Sequence, residues 1–285
     1  MNHVVMFSGG LSSWATCYRI DPAEGDRLCL VFADTKMEDP DLYRFVDDAV
    51  QAVIGECTSS EFVRLTEGRD PWQVFFDVKL IGNTRADPCS RILKRKLIRD
   101  WLDAELDPAD TTVYIGFTWD EAHRYERAKA YWEPWTVAAP LCDPPYLTKA
   151  DMISMAYAEG ITPPRLTLQG FPHNNCGGFC VKAGQAQFAK LLELYPDRYA
   201  QHEELERAFR AEREAEGKPE SKWGTILRDR RGGDTTPMTM ETFRKRVQAG
   251  KSYDLHEWGG CTCMEPGDDE QDSPPPPSGR SRRDD

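Results

Sequence analysis

The chain has 285 residues, 40% of them hydrophobic, enough to fill a substantial core, and no apolar run of about 18 residues, which excludes a helical membrane span. Its 36 basic and 48 acidic side chains give a net charge of −12. That balance argues against coating nucleic acid through a basic surface, while leaving room for a local basic pocket.

The leading MNHVVMF has no basic region followed by a cleavage site, so no secretory signal is expected. With an odd count of nine cysteines, this leads to the expectation of a reduced, cytoplasmic protein whose thiols are buried, catalytic or metal-bound. In chain order, HVVMF (3–7) predicts a buried strand, and after SGG the stretch SSWATCYRI predicts a helix that stops at Asp21-Pro22. LCLVFAD (28–34) predicts a second strand, DLYRFVDDAVQAVI (41–54) a helix, and FVRL (62–65) a third strand. Residues 90–103 predict a helix and TVYIGF (112–117) a fourth strand. Apolar strands alternating with helices imply an α/β fold, a parallel sheet with helices on both faces.

From about residue 183 the chain reads as helical, through AGQAQFAKLLELY, DRYAQHEELERAFRAEREAE and TMETFRKRVQAG. Residues 264–285 hold four consecutive prolines, seven acidic residues and three arginines, a composition expected to form a disordered tail. The expected organisation is therefore a nucleotide-binding α/β domain (1–182), a helical C-terminal region with a Cys-x-Cys turn (183–263), and the tail.

Ser8-Gly9-Gly10-Leu11-Ser12-Ser13 lies between the first strand and the first helix. Glycines let the backbone turn and approach an anion, and the serines add hydroxyl donors; the plainer reading is a serine-capped turn. Neither GxxxxGK[ST] nor GxGxxG occurs. Asp34 and Thr35 end the second strand, where open α/β sheets bind ligands, although Asp34 also suits a loop cap. On a regular helix Arg91, Arg95 and Arg99 form one stripe opposite Ile92, Leu93, Leu97, Ile98 and Trp101. That stripe is either a phosphate or sulfate clamp or a solvated face. Cys17, Cys29 and Cys57 fall within helix or strand patterns and are expected in the core, whereas the other six cysteines sit in or beside turn-rich sequence.

The serine-glycine loop resembles the SGGxDS pyrophosphate loop of the PP-loop adenine nucleotide α-hydrolase superfamily, with Ser12 where that family has Asp. Residues 140–180, PLCDPPYLTKADMISMAYAEGITPPRLTLQGFPHNNCGGFC, resemble a segment of the PAPS reductase-like family. In that segment a Pro-Leu turn and helix precede a glycine-aromatic-Pro loop and a cysteine pair, here Cys176 and Cys180, spaced CxxxC rather than CxxC. Cys89-Ser90 stands where cluster-bearing members have tandem cysteines, and GFTWDEAHRYERAK (116–129) resembles that family's G-x-x-x-D/E-x-x-x-R stretch. The resemblance runs over roughly 3–182 as scattered motifs.

The resemblance implies a PP-loop/HUP-like three-layer fold and a nucleotide, ATP or PAPS/APS, held with Mg²⁺ by Ser8, Gly9, Gly10, Ser12, Ser13, Asp34, Thr35, Arg91 and Arg95. Arg124 and Arg127 then face the nucleotide, and Asp120, Glu121 or His123 hold Mg²⁺ or transfer protons. Cys89, Cys176, Cys180 and Cys263 are the implied metal set, a [4Fe-4S] cluster ahead of zinc, with Cys261, Cys142 and His173 as other fourth donors. Cys261 or Cys263, with Arg124, is the catalytic expectation, although the GGCTC sequence does not match the family's ECGxH-like ending. The activity implied is adenylation with pyrophosphate release, linked to sulfur transfer. Partners implied are a sulfur donor or a reductant such as thioredoxin, and a nucleic-acid acceptor reached through a complex. The alternatives are a sulfonucleotide reductase releasing sulfite and a non-catalytic nucleotide- or cluster-binding subunit.

Overall fold

A computed structural model describes residues 1–55, 59–83, 86–230, 235–259 and 264. The first strand, β1 (Asn2–Met6), leads into α1 (Leu11–Cys17), β2 (Arg27–Ala33), α2 (Pro40–Gly55) and β3 (Ser60–Leu65). Then come α3 (Pro71–Val78) and one continuous helical run: α4 (Pro88–Ser90), a π-helical segment Arg91–Lys96, and α5 (Leu97–Glu105). β4 (Thr111–Tyr114), α6 (Ala122–Trp132) and β5 (Thr136–Ala138) complete the sheet region. Five strands, all parallel, stand in the order β3-β2-β1-β4-β5.

β1 is central, with Val5 opposite Leu30 on one side and Tyr114 on the other. Alternate strand residues serve opposite faces. Val5, Phe7, Leu28, Leu30 and Phe32 pack on Trp14 of α1 and Phe45 of α2, together with Met152 of α7 (Lys149–Ala158). Val4, Met6, Cys29, Val31 and Val113 pack on Ile98 and Leu102 of α5 and on Ala128 and Trp132 of α6. Covering both faces explains why β1 from Val4 to Met6 and β2 from Leu28 to Ala33 are continuously apolar rather than alternating. Each large side chain fully buried here, such as Trp14 or Phe45, contributes about 1.5–3 kcal/mol.

The remaining elements are α8 (Arg165–Leu168), α9 (Gln185–Leu194), α10 (Pro196–Ala215), a short antiparallel pair β6 (Leu227–Asp229) and β7 (Thr236–Met238), and α11 (Met240–Gln248). They build a third core in which Phe188, Tyr199, Phe209 and Phe243 meet Trp72 and Phe75 of α3, with Cys89 and Phe179. This core takes residues from both sides of position 182. It is fastened to the sheet region by Asp39, which accepts from Arg165 of α8 and Arg198 of α10 at 2.8 and 2.9 Å. Among the described residues no helix is long and apolar enough to cross a membrane.

The sequence reading assigns no element to 71–78 or to β6 and β7. Helix α3 starts where its chemistry allows: Asp70 and Gln73 form a reciprocal capping box and Pro71 occupies the first turn.

Candidate functional site

Strands succeed β1 on one flank through β2 and on the other through β4, so the topological switch point lies at the carboxyl ends of β1 and β4. The serine-glycine loop leaves β1 there. Gly9 takes φ +74°, and a Cβ on it would lie 2.9 Å from Cγ2 of Val46, so both conformation and space demand glycine. Ser13 braces the turn: its Oγ accepts from the Ser8 amide at 3.1 Å and donates to the Gly10 carbonyl at 2.9 Å. The Ser8 hydroxyl lies 3.2 Å from the same Oγ. Opposite, Gly116 after β4 receives the first turn of α1 so closely that a Cβ would sit 2.8 Å from the Ser13 amide nitrogen.

Ser8, Gly10, Ser12 and Ser13 open into a cavity of about 490 Å³ whose other walls carry Lys94, Arg124, Lys149 and His173. That volume falls within the range of small-molecule sites. Ser12 is half-buried. Arg124 lies over the Phe117 ring at 4.5 Å and pairs with Glu121, which with Asp120 brings carboxylates to the rim. Met264 reaches the same cavity, its carbonyl accepting from Trp132 Nε1 at 3.1 Å.

Other residues expected at the anion lie elsewhere. The Asp34 carboxylate is occupied inside the protein: it accepts from Tyr43 at 2.7 Å, from the Lys36 amide at 2.8 Å and from Arg64 at 2.6 Å. Burial opposes its ionisation, but these bonds outweigh it and hold the carboxyl below the usual range. Arg95 is fully buried, forked onto Asp87 at 2.6 and 3.1 Å, with Lys182 at 3.4 Å from the same carboxylate. Arg99 donates to the carbonyls of Tyr131 and Glu133, and half-buried Arg91 does not line the loop cavity. The arginine stripe assumed 3.6 residues per turn, and the π-helical segment breaks that register. Its inward residues are Leu93, Lys94 and Arg95. Arg127 and His123 are exposed.

A second, smaller cavity of about 20 Å³ lies alongside, lined by Cys89, Cys176 and Cys180 with Thr35, Met37 and Lys94. Lys94 therefore lines both cavities. Cys176 adopts left-handed backbone (φ 53°), followed by Gly177 and Gly178 at φ 61° and 87°. A non-glycine residue there costs about 1–2 kcal/mol, so the tertiary structure imposes this turn. Glu38 anchors it, accepting from the Cys176 amide at 2.6 Å and from Thr35 at 3.0 Å, with the Lys94 ammonium 3.7 Å away. Burial, then the Glu38 charge, pushes the Cys176 thiol well above its ordinary range, against the pull of Lys94.

The three thiols suit a soft metal in kind. Their surroundings are tighter: the space holds about one water, and among the described residues no group of three or more His, Cys, Asp or Glu is set to hold a metal ion. Room for a four-iron cluster requires these side chains to part. Cys261 and Cys263, the expected nucleophiles and fourth donor, lie outside the described residues, as does Cys57. Cys142 points elsewhere, its thiol on the carbonyls of Phe117 and Thr118, and burial followed by Asp143 raises its pKa. Cys17 and Cys29 are core thiols, the former pushed up to about 12 by burial.

Lys94 and Lys149 are the site residues that sequence reasoning missed. Lys149 carries a faint signal in hindsight, directly following the Thr148 that caps α7. No protein-family model matches the chain, and no curated protein matches it significantly. Fold and site define a class in physical terms: an α/β protein with a parallel five-stranded sheet, a cation-walled cavity at its central strand ends, and a thiol pocket sharing one lysine with it.

Proposed function

We propose that this chain is a PP-loop, PAPS reductase-like enzyme that binds an adenine nucleotide in the loop cavity and catalyses pyrophosphate-releasing attack at the α-phosphate, linked to sulfur transfer. The observation that carries the reading is the convergence of Ser8, Gly10, Ser12 and Ser13 with Lys94, Arg124 and Lys149 around one cavity at the switch point. In this reading the loop receives the phosphates and the cations stabilise the charge that grows on the leaving pyrophosphate. An acceptor oxygen forms a bond to the α-phosphorus as the bond to the bridging oxygen breaks. A sulfur nucleophile then displaces AMP. Asp120 and Glu121, on the cavity rim, suit the outer coordination of a nucleotide-bound Mg²⁺.

The adjoining thiols favour sulfur as the second nucleophile, because Lys94 is common to both cavities. Cys89, Cys176 and Cys180 are the proposed holders of a metal or iron–sulfur group, which when bound supplies redox poise or an open iron for sulfur. The same thiols also support a second reading, a sulfonucleotide reductase that releases sulfite.

The full chain supplied separately with ATP and with PAPS decides between the two. Pyrophosphate from ATP supports the first and sulfite from PAPS the second; tight nucleotide binding without turnover reduces the protein to a binding subunit. Anaerobic purification with iron, zinc and sulfide analysis tests the metal component. The expectation is iron that falls together in Cys89→Ser, Cys176→Ser and Cys180→Ser, whereas metal-free wild type would limit the three to thiol chemistry.

A further inference from the structure

Across the loop cavity from the serine loop, a different wall carries an imidazole donor that nothing in the described structure answers. His173, in the loop after α8, has both ring nitrogens shielded from solvent and, among the described residues, without a hydrogen-bond partner. An imidazole always carries at least one N–H, and a buried donor left unmade costs about 1–3 kcal/mol. Its neighbour Asn174 is held by Thr167 at 3.1 Å. On the same cavity, the Lys149 ammonium donates to the Phe171 carbonyl at 2.7 Å, and among the described residues no carboxylate pairs with it. Lys94 and Arg124 face Glu38 and Glu121, so Lys149 is the wall's cation without a carboxylate in the described structure.

The charge around His173 selects the kind of partner. Burial first, then Lys94, Lys149 and Arg124, push its pKa down to about 4, which keeps the ring neutral with one N–H to give. The field that disfavours a proton on the ring also disfavours a metal cation there and favours an anion. The rim carboxylates, Asp120 and Glu121, are already engaged by Thr118 and Arg124. A ligand that answers an N–H and an ammonium together is a tetrahedral oxyanion with several acceptor oxygens.

We infer that His173 and Lys149 form a second oxyanion subsite of the loop cavity, holding a phosphoryl or sulfuryl group of the substrate beyond the one received by Ser8–Ser13. The inference rests on the nucleotide reading above for the substrate's identity, and on His173 and Lys149 alone for the oxyanion. It assigns these residues to substrate selection: a ligand with two adjacent anionic groups is preferred over one with a single phosphate.

The test is calorimetric titration of the full chain with inorganic pyrophosphate, sulfate, AMP, ATP and PAPS, comparing wild type with His173→Phe, His173→Asn and Lys149→Met. Pyrophosphate or sulfate affinity is expected to fall about tenfold or more in His173→Phe and Lys149→Met, with part of it regained in His173→Asn, which keeps an N–H. AMP affinity is expected to stay within about twofold, so that ATP or PAPS loses its advantage over AMP. Loss confined to pyrophosphate and ATP identifies a phosphoryl group, and loss confined to sulfate and PAPS a sulfuryl group. Should His173→Phe fail to fold, His173→Asn and Lys149→Met carry the comparison. No anion binding in wild type, or equal binding in all variants, overturns the subsite. Variant-sensitive pyrophosphate binding without any adenine nucleotide binding leaves the subsite standing and sinks the nucleotide reading.

Discussion

The two cavities that share Lys94 are built on opposite principles. The loop cavity is wide and mixed in character, its apolar walls carrying hydroxyls, three cations and an imidazole whose nitrogens have no partner among the described residues. The thiol cavity is narrow and apolar, its backbone forced left-handed at Cys176 and its central thiol kept protonated by burial and Glu38. A wide site with unmatched donors suits a ligand that arrives and leaves. A closed pocket with imposed backbone geometry suits groups fixed for good. Lys94, within the π-helical segment, lines both.

The largest expected effect comes from the buried ion pair that follows Lys94 in the chain. Arg95 and Asp87 are a fully buried ion pair, and breaking such a pair by removing one partner costs about 3–5 kcal/mol. Arg95→Met and Asp87→Asn are each expected to lower the unfolding free energy from denaturant titration by that order and to disturb both cavities together. Wild-type unfolding in either variant would show that this buried pair does not hold the fold together.

Gly116→Ala separates the cavities. Its Cβ meets the first turn of α1 at 2.8 Å from backbone, so overpacking costs about 1–3 kcal/mol and displaces the serine loop. Nucleotide binding is expected to be lost while the rates of thiol alkylation stay at wild type. Altered labelling of Cys89, Cys176 or Cys180 would show that the two cavities are not mechanically separate.

Lys94→Met couples them. Because Lys94 pulls the Cys176 thiol down, its removal is expected to slow Cys176 alkylation further and to weaken pyrophosphate binding about tenfold. An effect on only one cavity contradicts the shared role.

The smallest effect lies away from both, in the third core. Glu206 accepts from the amides of Ile226 and Met240 at 2.6 Å each, and burial raises its pKa from 4.5 to about 7. The folded state therefore holds a proton that the unfolded chain has released. Stability from this group is full below about pH 4.5 and is lost as pH rises through about 7. Melting temperature should decline across that window in wild type and decline less in Glu206→Gln. Identical profiles would remove Glu206 as the source.

How much of this was legible in sequence follows from which interactions are local. Strands β1, β2 and β4 announce themselves as apolar runs because both sheet faces are covered, and SGG marks its turn because Gly9 tolerates no side chain. The arginine stripe misled because hydrophobic periodicity says nothing about a change from α to π winding, which turned Arg95 inward onto Asp87. Asp34 stands at the expected strand end, yet its partner Arg64 comes from the adjacent β3, a pairing that only the sheet register creates. His173 and Lys149 lie 24 positions apart, and only the packing of α7 and the loop after α8 brings them to one wall. The capping box of α3 was present in the sequence, but eight residues gave too short a pattern to stand out.

The central claim, that the loop cavity is a nucleotide site, is tested most directly by hydrogen exchange measured by mass spectrometry on the full chain with and without ATP and Mg²⁺. The account predicts protection of the segments 8–13, 116–124 and 173–175, with little change in α10 and α11. Absence of protection in the first two segments, or protection confined to the third core, would contradict it.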